Sequence, residues 1–362
     1  MRIESLKEDF WNLPFILAGK FAGSFSRKLT HPLGGYVPYP QVVSFYLTEK
    51  CNLKCKMCFL QHIKPKLEFI PLPLAKRVVR ELNCLRPRYS MSGGEPFLYP
   101  DIEELIRFIK SRGLSLSIVT NGTLLSLFAE MIVYTGVDRL KISIDGPPDV
   151  HDAIRGVPGA FSRVIDGIKA INLQKKKQGK RKPMLFLYSL LNPLTEPDFI
   201  ISFAEGNNFE VLNFLHILSI NPSDLRKFSD IFGVEPHYWK GAVFDNEDYR
   251  VSGDLIRKIK TCDTKLVIKF TPDLHPSDLN SYYDKDEKYL AKFRGNCSSP
   301  WSSAYITPPS IVEICPNFAI GDISRRRFLS VWNSKQARSF RNHIFSGDIP
   351  PVCKGCCSYY IR

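Results

Sequence analysis

Three cysteines in one short stretch of the chain have a spacing suited to metal binding. Cys51, Cys55 and Cys58 form the pattern C-x3-C-x2-C. A loop this short can turn three thiolates toward one point, as an iron–sulfur cluster or a zinc ion requires. Closed zinc sites and four-iron clusters usually take four protein ligands. Three ligands therefore predict a cluster with one iron left to a small molecule, and the alternative is a structural zinc site.

A second group of cysteines lies near the end of the sequence. Cys297, Cys315, Cys353 and Cys356 form C-x17-C followed by C-x2-C, and Cys357 is adjacent to the last of them. Four thiolates complete a coordination sphere, so this group predicts a closed site that serves structure or electron transfer. A zinc ribbon-like site is the alternative, and the sequence leaves open whether Cys357 replaces Cys356 as a ligand.

Composition restricts the class of protein. The 362 residues include ten cysteines and carry a net charge of +14, with a pI near 9.3. Clustered cysteines suit metal ligation in a reducing compartment better than disulfides, so we expect a cytoplasmic protein. The basic charge is not accompanied by a nucleic-acid-binding motif, and we expect no nucleic-acid partner. The sequence contains no run of 18 or more apolar residues, so we expect no transmembrane helix.

The first 40 residues form an atypical, basic and amphipathic segment. Within residues 10–28, apolar side chains recur every four positions between basic ones, as on one face of a helix. We expect this face to pack against the domain that follows, because apolar helical faces usually meet protein. The alternative is a peripheral contact with a membrane surface.

From residue 41 onward, predicted strands alternate with predicted helices. The strands are expected near residues 42–47, 89–91, 114–119, 140–144, 184–190 and 211–217. Such alternation is typical of a parallel sheet. About six repeats are too few for a closed eight-stranded barrel, and they favour an open, partial barrel.

Polar and glycine-rich groups follow successive strands, at the edge where parallel α/β folds place their chemistry. Gly93, Gly94 and Glu95 follow the second predicted strand, and Thr120 and Asn121 end the third. Glycines allow the backbone to approach a ligand closely. Two further residues, Ser143 and Arg155, accompany the fourth strand, and a guanidinium matches a carboxylate in a bidentate manner.

These residues together resemble the radical S-adenosylmethionine (radical SAM) enzymes. The resemblance implies a partial (β/α)6 barrel and a [4Fe–4S] cluster held by Cys51, Cys55 and Cys58. The open iron would chelate the amino and carboxylate groups of SAM, and reduction would release a 5′-deoxyadenosyl radical that abstracts a substrate hydrogen. Many members have an aromatic residue where this chain has Met57, and a flexible thioether can also pack against adenine.

The resemblance also implies roles for the polar groups. Gly93-Gly94-Glu95-Pro96 resembles the GGEP motif that holds the amino group of SAM, and Thr120 and Asn121 would meet its ribose and methionine part. Ser143 and Arg155 resemble the pair that holds the methionine carboxylate in members with SPASM or twitch domains.

Between the C-terminal cysteines, the sequence predicts a hairpin strand at residues 311–314 and a helix at residues 329–345. With these elements, the C-terminal cysteine group resembles the twitch domain, the shorter form of SPASM, with one auxiliary [4Fe–4S] cluster. We therefore divide the chain into an N-terminal segment, a core barrel, a linker or substrate region, and an auxiliary-cluster domain. Their expected bounds are residues 1–40, 41–220, 221–290 and 291–362.

The expected activity is a hydrogen abstraction that leads to an oxidation or to the modification of a peptide or natural product. A low-potential flavodoxin or ferredoxin would donate the electron, and an acidic carrier would suit the basic surface. A second hypothesis makes the substrate a lipid or membrane-associated precursor. A third, from another class, is a zinc-stabilised interaction protein without catalysis.

Overall fold

The computed structural model describes residues 33–63, 68–234, 236, 239–243, 247–293, 297–315 and 318–356. The amphipathic segment at residues 10–28 and the alternative ligand Cys357 lie outside these ranges. No helix among the described residues has the length and apolar character needed to cross a membrane.

Ten strands form one sheet in the order β10-β9-β8-β1-β2-β3-β4-β5-β6-β7. Strands β1 to β7 follow one another across the sheet in parallel, the first six as the alternating pattern predicted, and β8 pairs in parallel with β1. Strand β9 is antiparallel to both of its neighbours, β8 and β10. The strand bounds are β1 Val42–Thr48, β2 Arg88–Gly93, β3 Leu116–Thr120, β4 Arg139–Ser143, β5 Met184–Leu190, β6 Val211–Leu215, β7 Val267–Thr271, β8 Ser303–Thr307, β9 Ile311–Glu313 and β10 Ala319–Asp322.

Helices follow most of the parallel strands. The α-helices in the described residues are α1 Leu72–Glu81, α2 Ile102–Lys110, α3 Leu125–Thr135, α4 Pro148–Arg155, α5 Ala160–Lys177, α6 Pro197–Gly206, α7 Pro222–Phe232, α8 Gly253–Thr261, α9 Leu279–Tyr283, α10 Glu287–Ala291, α11 Ser299–Ser302, α12 Phe328–Trp332 and α13 Lys335–Phe345. Short 3-10 helices occur at Phe59–Gln61, Asn83–Leu85, Pro96–Leu98, Trp239–Ala242, Glu247–Tyr249, Pro276–Asp278 and Pro351–Gly355.

The two faces of the parallel sheet differ in chemistry. One face carries large apolar side chains that are fully buried in the main core, such as Phe45, Met91, Ile118, Ile142 and Leu187. The residues that alternate with them are mostly polar and only partly buried. We call this second side the inner face. The apolar face therefore supplies the packing energy, and the inner face is left for ligands.

Two more parallel strands, β7 and β8, extend the sheet beyond the predicted six. Strand β7 lies within residues 221–290, where the sequence pattern is mixed, and its side chains are only partly buried or exposed. A half-exposed strand lacks the continuous apolar run of a central parallel strand. Strand β8 pairs with β1 over Val42–Phe45, so the C-terminal hairpin continues the barrel sheet.

The last two helices are fixed to the start of the core by a buried cation. The guanidinium of Arg341 is fully buried and donates to the carbonyls of Pro300, Gly35 and Trp332. The indole of Trp332 donates to the carbonyl of Val37 at 3.0 Å. The expected single helix from 329 to 345 is broken between α12 and α13, where the Ser334 side chain caps the second helix.

Candidate functional site

The cysteine loop directly follows β1 and is held in place by the end of α4. The backbone N–H of Lys54 donates to the carbonyl of Arg155 at 3.0 Å, and that of Lys56 donates to Ile154 at 3.1 Å. Gly156 ends α4 with a φ of +70°, and a Cβ there would lie 2.3 Å from the Lys54 carbonyl oxygen. Only glycine allows this close approach, so α4 and the cysteine loop are positioned together.

The two glycines after β2 pack against the chain that leads into the loop. A Cβ on Gly93 would lie 2.5 Å from the Thr48 carbonyl oxygen, and one on Gly94 would lie 2.1 Å from that of Lys50. The Gly94 and Glu95 N–H groups donate to these same two carbonyls at 2.7 and 2.8 Å. The glycines thus have a structural role beside the expected one toward the SAM amino group, which stays a prediction.

Glu95 is fully buried and organises the end of β3. Its carboxylate accepts from the Thr120 hydroxyl at 2.7 Å, the Asn121 N–H at 2.8 Å and the Phe97 N–H at 3.2 Å. Burial raises the pKa of Glu95 to about 7, while the three donors oppose the rise. Glu95 therefore fixes Thr120 and Asn121, whatever charge it offers a cofactor.

Asn121 connects this network to the first cysteine. Its amide nitrogen lies 2.8 Å from the Asn52 side-chain oxygen and 3.8 Å from the Cys51 sulfur. Its own side-chain oxygen accepts from Thr123, whose hydroxyl also accepts from Asn52. Sequence reasoning missed Asn52 and Thr123, since both are common loop residues without a distinctive spacing.

Arg155 reaches the second cysteine from α4. Its Nε forms an ion pair with the fully buried Asp145 at 2.7 Å, and its Nη1 lies 3.8 Å from the Cys55 sulfur. Burial opposes a charged guanidinium, but Asp145 and then Cys55 raise the pKa of Arg155 overall. Asp145 also accepts from the Leu190 N–H at 3.0 Å. Arg155 is therefore a preorganised cation at the edge of the loop.

His151 lies on the same helix and is buried. Its Nδ1 accepts from the Asp145 N–H at 3.3 Å, and burial, then Arg155, lowers its pKa to about 4. A neutral histidine with this contact orders the loop after β4.

The remaining predicted ligands lie near this edge with fewer contacts. Ser143 is the last residue of β4, two positions before Asp145. Met57 is partly buried and packs against the cluster formed by Leu53, Cys55 and Ala160. Their expected contacts with SAM stay predictions.

The three thiols of the loop lie close to one another, but their sulfurs do not surround a common centre. Burial is the largest cause that raises the pKa of Cys51 to about 11, and Glu95, Cys55 and Cys58 add to it. Burial raises the pKa of Cys58 as well. Among the described residues, no three His, Cys, Asp or Glu side chains are already arranged as metal ligands. A metal centre would stabilise the thiolate forms that burial disfavours, so the donor chemistry fits a cluster.

The C-terminal cysteines form a second group of partly buried side chains. Burial, then Cys356, Cys353 and Cys297, raises the pKa of Cys315 well above its usual value. The pKa of Cys353 is raised in the same way by burial, Cys356 and Cys297. The four predicted thiols therefore share one neighbourhood, as a four-thiolate site requires.

The turn between Cys353 and Cys356 docks on the barrel. A Cβ on Gly355 would lie 2.1 Å from the Ser219 carbonyl oxygen, in the segment after β6. Sequence reasoning assigned no role to this glycine, although its place inside a C-x2-C turn is a usable signal.

Comparison with known families agrees with this geometry. Residues 45–187 match the family model of the radical SAM superfamily, and residues 297–357 match that of SPASM, an iron–sulfur cluster-binding domain. The chain therefore contains a radical SAM domain and a C-terminal SPASM domain. These domains support SAM and [4Fe–4S] clusters as its cofactors.

Individual relatives match over different extents. The AdoMet-dependent heme synthase of Methanosarcina barkeri is 37% identical over 137 residues, which cover 36% of this chain and 39% of the relative. The antilisterial bacteriocin subtilosin biosynthesis protein AlbA of Bacillus subtilis is 24% identical over 344 residues, which cover 88% of this chain and 67% of AlbA. The chain thus spans about two fifths of the heme synthase and two thirds of AlbA.

Solved structures show the same fold. SuiB of Streptococcus suis, bound to S-adenosylmethionine, superposes with a TM-score of 0.63 at 15% identity, covering 88% of this chain and 71% of SuiB. SuiB bound to the precursor peptide SuiA gives a TM-score of 0.61 at 14% identity, with 88% and 70% coverage.

Proposed function

We propose that this protein cleaves SAM reductively and abstracts a hydrogen atom from a peptide substrate. Cys51, Cys55 and Cys58 would hold a [4Fe–4S] cluster with one open iron. The observation that carries the proposal is the set of polar groups fixed around these thiols, with Asn121 beside Cys51 and Arg155 beside Cys55. A purely structural zinc site needs neither group.

The residues around the loop have distinct tasks. The bound cluster would supply the electron that cleaves SAM to a 5′-deoxyadenosyl radical. Arg155 is charged and preorganised by Asp145, so it would hold the methionine carboxylate. Asn121 would orient the methionine and ribose part, and Glu95 keeps Asn121 in place. The carbonyls of Gly93 and Gly94 would accept from the amino group, and Met57 would pack against adenine.

The second thiol group would hold one auxiliary [4Fe–4S] cluster through Cys297, Cys315, Cys353 and Cys356. Four thiolates leave no iron open, so this cluster would pass electrons or stabilise the domain. The closeness of these four partly buried thiols to one another supports that assignment. A flavodoxin or ferredoxin would reduce the first cluster, and the net charge of +14 would attract such an acidic carrier.

A peptide substrate is favoured by the extent of similarity. The match with the subtilosin biosynthesis protein covers 88% of the chain. The match with SuiB, which was solved with a precursor peptide, covers 88% as well. The heme synthases share higher identity over a shorter core segment, so a tetrapyrrole substrate is the second candidate.

Anaerobic reconstitution tests the enzymatic proposal. Two four-iron clusters would give about eight irons per chain, and dithionite with SAM would yield 5′-deoxyadenosine. Cys55→Ala should abolish this product. Cys84→Ser is the matched control, because Cys84 is exposed and outside both groups. Colourless protein that binds zinc and forms no 5′-deoxyadenosine would refute the proposal.

The substrate class needs a separate experiment. The reconstituted enzyme would be incubated with peptides encoded next to its gene and, in parallel, with iron-coproporphyrin. We expect mass loss corresponding to removed hydrogen on a peptide, dependent on SAM. Conversion of the porphyrin with unchanged peptides would replace the peptide assignment with the second candidate.

A further inference from the structure

The inner face of β2 and β4 carries three cations that the proposed chemistry does not use. Paired residues of adjacent strands point to the same side, and so do alternate residues of one strand. Ser90 pairs with Ser117, and Ser117 pairs with Arg139. Arg88 and Lys141, each two residues away along its strand, therefore share the inner face with Arg139. We call Arg88, Arg139 and Lys141 the inner cation cluster.

These three charges are close enough to affect one another. Strands β2 and β4 are two positions apart in the sheet, which places their backbones about 10 Å from each other. Burial, then Arg139, lowers the pKa of Arg88. Burial, then Arg139 and Arg88, lowers the pKa of Lys141. Arg88 is exposed, and the other two are partly buried, so the cluster stays accessible to a ligand.

No acidic residue compensates for this charge on the parallel strands. The eight strands β1 to β8 contain neither aspartate nor glutamate. Within the described ranges, none of the three cations takes part in a salt bridge, whereas Arg155 and Lys110 outside the cluster are paired with Asp145 and Asp138. Neighbouring like charges disfavour the folded state. An arrangement without counter-charges is suited to an anion that arrives from outside.

Other groups on this face fit such an anion. The Lys141 ammonium lies 5.6 Å from the centre of the Tyr188 ring, which orients it along the wall. Ser143 lies two residues beyond Lys141, about 7 Å nearer the cysteine loop. A substrate that extends from the loop into the barrel would therefore pass the cluster.

We propose that the inner cation cluster binds the carboxylates of an acidic segment of the substrate. This inference rests on the proposed peptide-modifying function and names the chemistry of the peptide. Arg88 and Arg139 would each take a carboxylate in a bidentate manner, and Lys141 would act as a point charge. Binding at this wall would hold the reacting residue of the peptide near the edge of the cysteine loop.

Fluorescence anisotropy with the reconstituted full chain and SAM tests the proposal. The probe is fluorescein-labelled hexaglutamate, and labelled hexaglutamine is the neutral comparison. Arg139→Gln combined with Lys141→Gln should weaken hexaglutamate binding about tenfold or more, as expected for lost charged hydrogen bonds. Arg163→Gln combined with Lys169→Gln is the matched control, because it removes two exposed charges from α5 on the other side of the sheet. Lys141→Arg, which keeps the charge, should retain binding.

Several outcomes would overturn the proposal. If the α5 control weakened hexaglutamate binding equally, binding would be due to overall charge. If the wild type did not bind hexaglutamate, or if the Arg139→Gln and Lys141→Gln variant bound it as tightly as the wild type, the inner cation cluster would not be the binding site. Equal binding of labelled hexaglutamine would refute the carboxylate assignment. Binding is measured without turnover, so these failures are distinct from failure of the wild-type enzyme to form 5′-deoxyadenosine.

Discussion

The two cysteine groups of this protein differ in what surrounds their thiols. At the loop after β1, polar side chains approach the sulfurs, with the Asn121 amide 3.8 Å from Cys51 and the Arg155 guanidinium 3.8 Å from Cys55. At the C-terminal group, burial and the neighbouring thiols are the main causes that raise the pKa values of Cys315 and Cys353. The first group has polar side chains available to a ligand, whereas the second has four thiols that can complete a coordination sphere by themselves.

The two groups are also held differently. The loop is fixed by backbone hydrogen bonds to α4 and by the buried carboxylate of Glu95. The C-terminal turn packs on the segment after β6 at Gly355, buries Val352, and pairs Lys354 with Glu287 at 2.8 Å. Damage to the first group should therefore alter chemistry, and damage to the second should alter domain attachment and cluster retention.

The largest expected effect separates the groups by function. Cys55→Ala should lower 5′-deoxyadenosine formation by more than about 100-fold, because losing a direct ligand should exceed the loss typical of residues behind the ligands. Cys315→Ala should remove the auxiliary cluster and leave about four irons per chain with SAM cleavage still measurable. Iron analysis and product chromatography measure both.

The control for this pair is Cys84→Ser, which should retain both clusters. If Cys315→Ala abolished SAM cleavage as completely as Cys55→Ala, the division of labour between the two groups would be wrong.

The next effect tests the cation beside the loop. Arg155→Gln leaves the buried Asp145 without its ion-pair partner, and removing one partner of a buried pair costs about 3–5 kcal/mol. Urea unfolding should show this loss of unfolding free energy. Arg163→Gln, at an exposed position of α5, should change stability by less than about 0.5 kcal/mol. Equal stability of the two variants would contradict the proposed ion pair.

A pH dependence follows from Glu95. Its pKa in the folded protein, about 7, is above the usual value of 4.5, so the folded state binds more protons between these values. The contribution of Glu95 to stability is therefore fully present below about pH 4.5 and is lost as the pH rises through about 7. The change is at most about 3 kcal/mol.

Glu95→Gln should remove this slope, because glutamine does not titrate. The free energy of unfolding of both proteins, measured between pH 5.5 and 7.5 in steps of half a pH unit, checks the prediction. An identical slope in wild type and variant would show that Glu95 is not the titrating group.

The fold was largely predictable because buried apolar residues recur along the parallel strands, which alternate with helical patterns. The six expected strands, the open parallel sheet and the C-terminal hairpin strand at residues 311–314 are present. Strand β7 was missed, because Lys269 interrupts a run of only five residues. The pairing of β8 with β1 joins residues about 260 positions apart, and no local signal specifies such a contact.

The cysteine ligands of the site were predictable from the sequence, but the residues that hold the site in place were not. Cysteine spacing identified both thiol groups, but the partners of Glu95 lie 25 and 26 residues away in Thr120 and Asn121. The expected role of Gly93 and Gly94 toward a ligand did not include their packing against the chain before Cys51. Close backbone approaches depend on the tertiary fold, which composition alone does not reveal.

The smallest expected effect examines how the C-terminal group is docked. Gly355→Ala would place a Cβ 2.1 Å from the Ser219 carbonyl oxygen, and such overpacking typically costs about 1–3 kcal/mol. Because the new methyl group would meet a backbone atom, which cannot rotate away as a side chain can, the turn between Cys353 and Cys356 must shift. The auxiliary cluster should therefore be lost faster than the first one during exposure to chelator. Gly206→Ala is the matched control, since no atom lies within 4 Å of the added methyl. Iron release followed by absorbance, with urea unfolding in parallel, would show a selective loss in Gly355→Ala. Equal release from both variants would mean that this contact does not couple the C-terminal cysteines to the barrel.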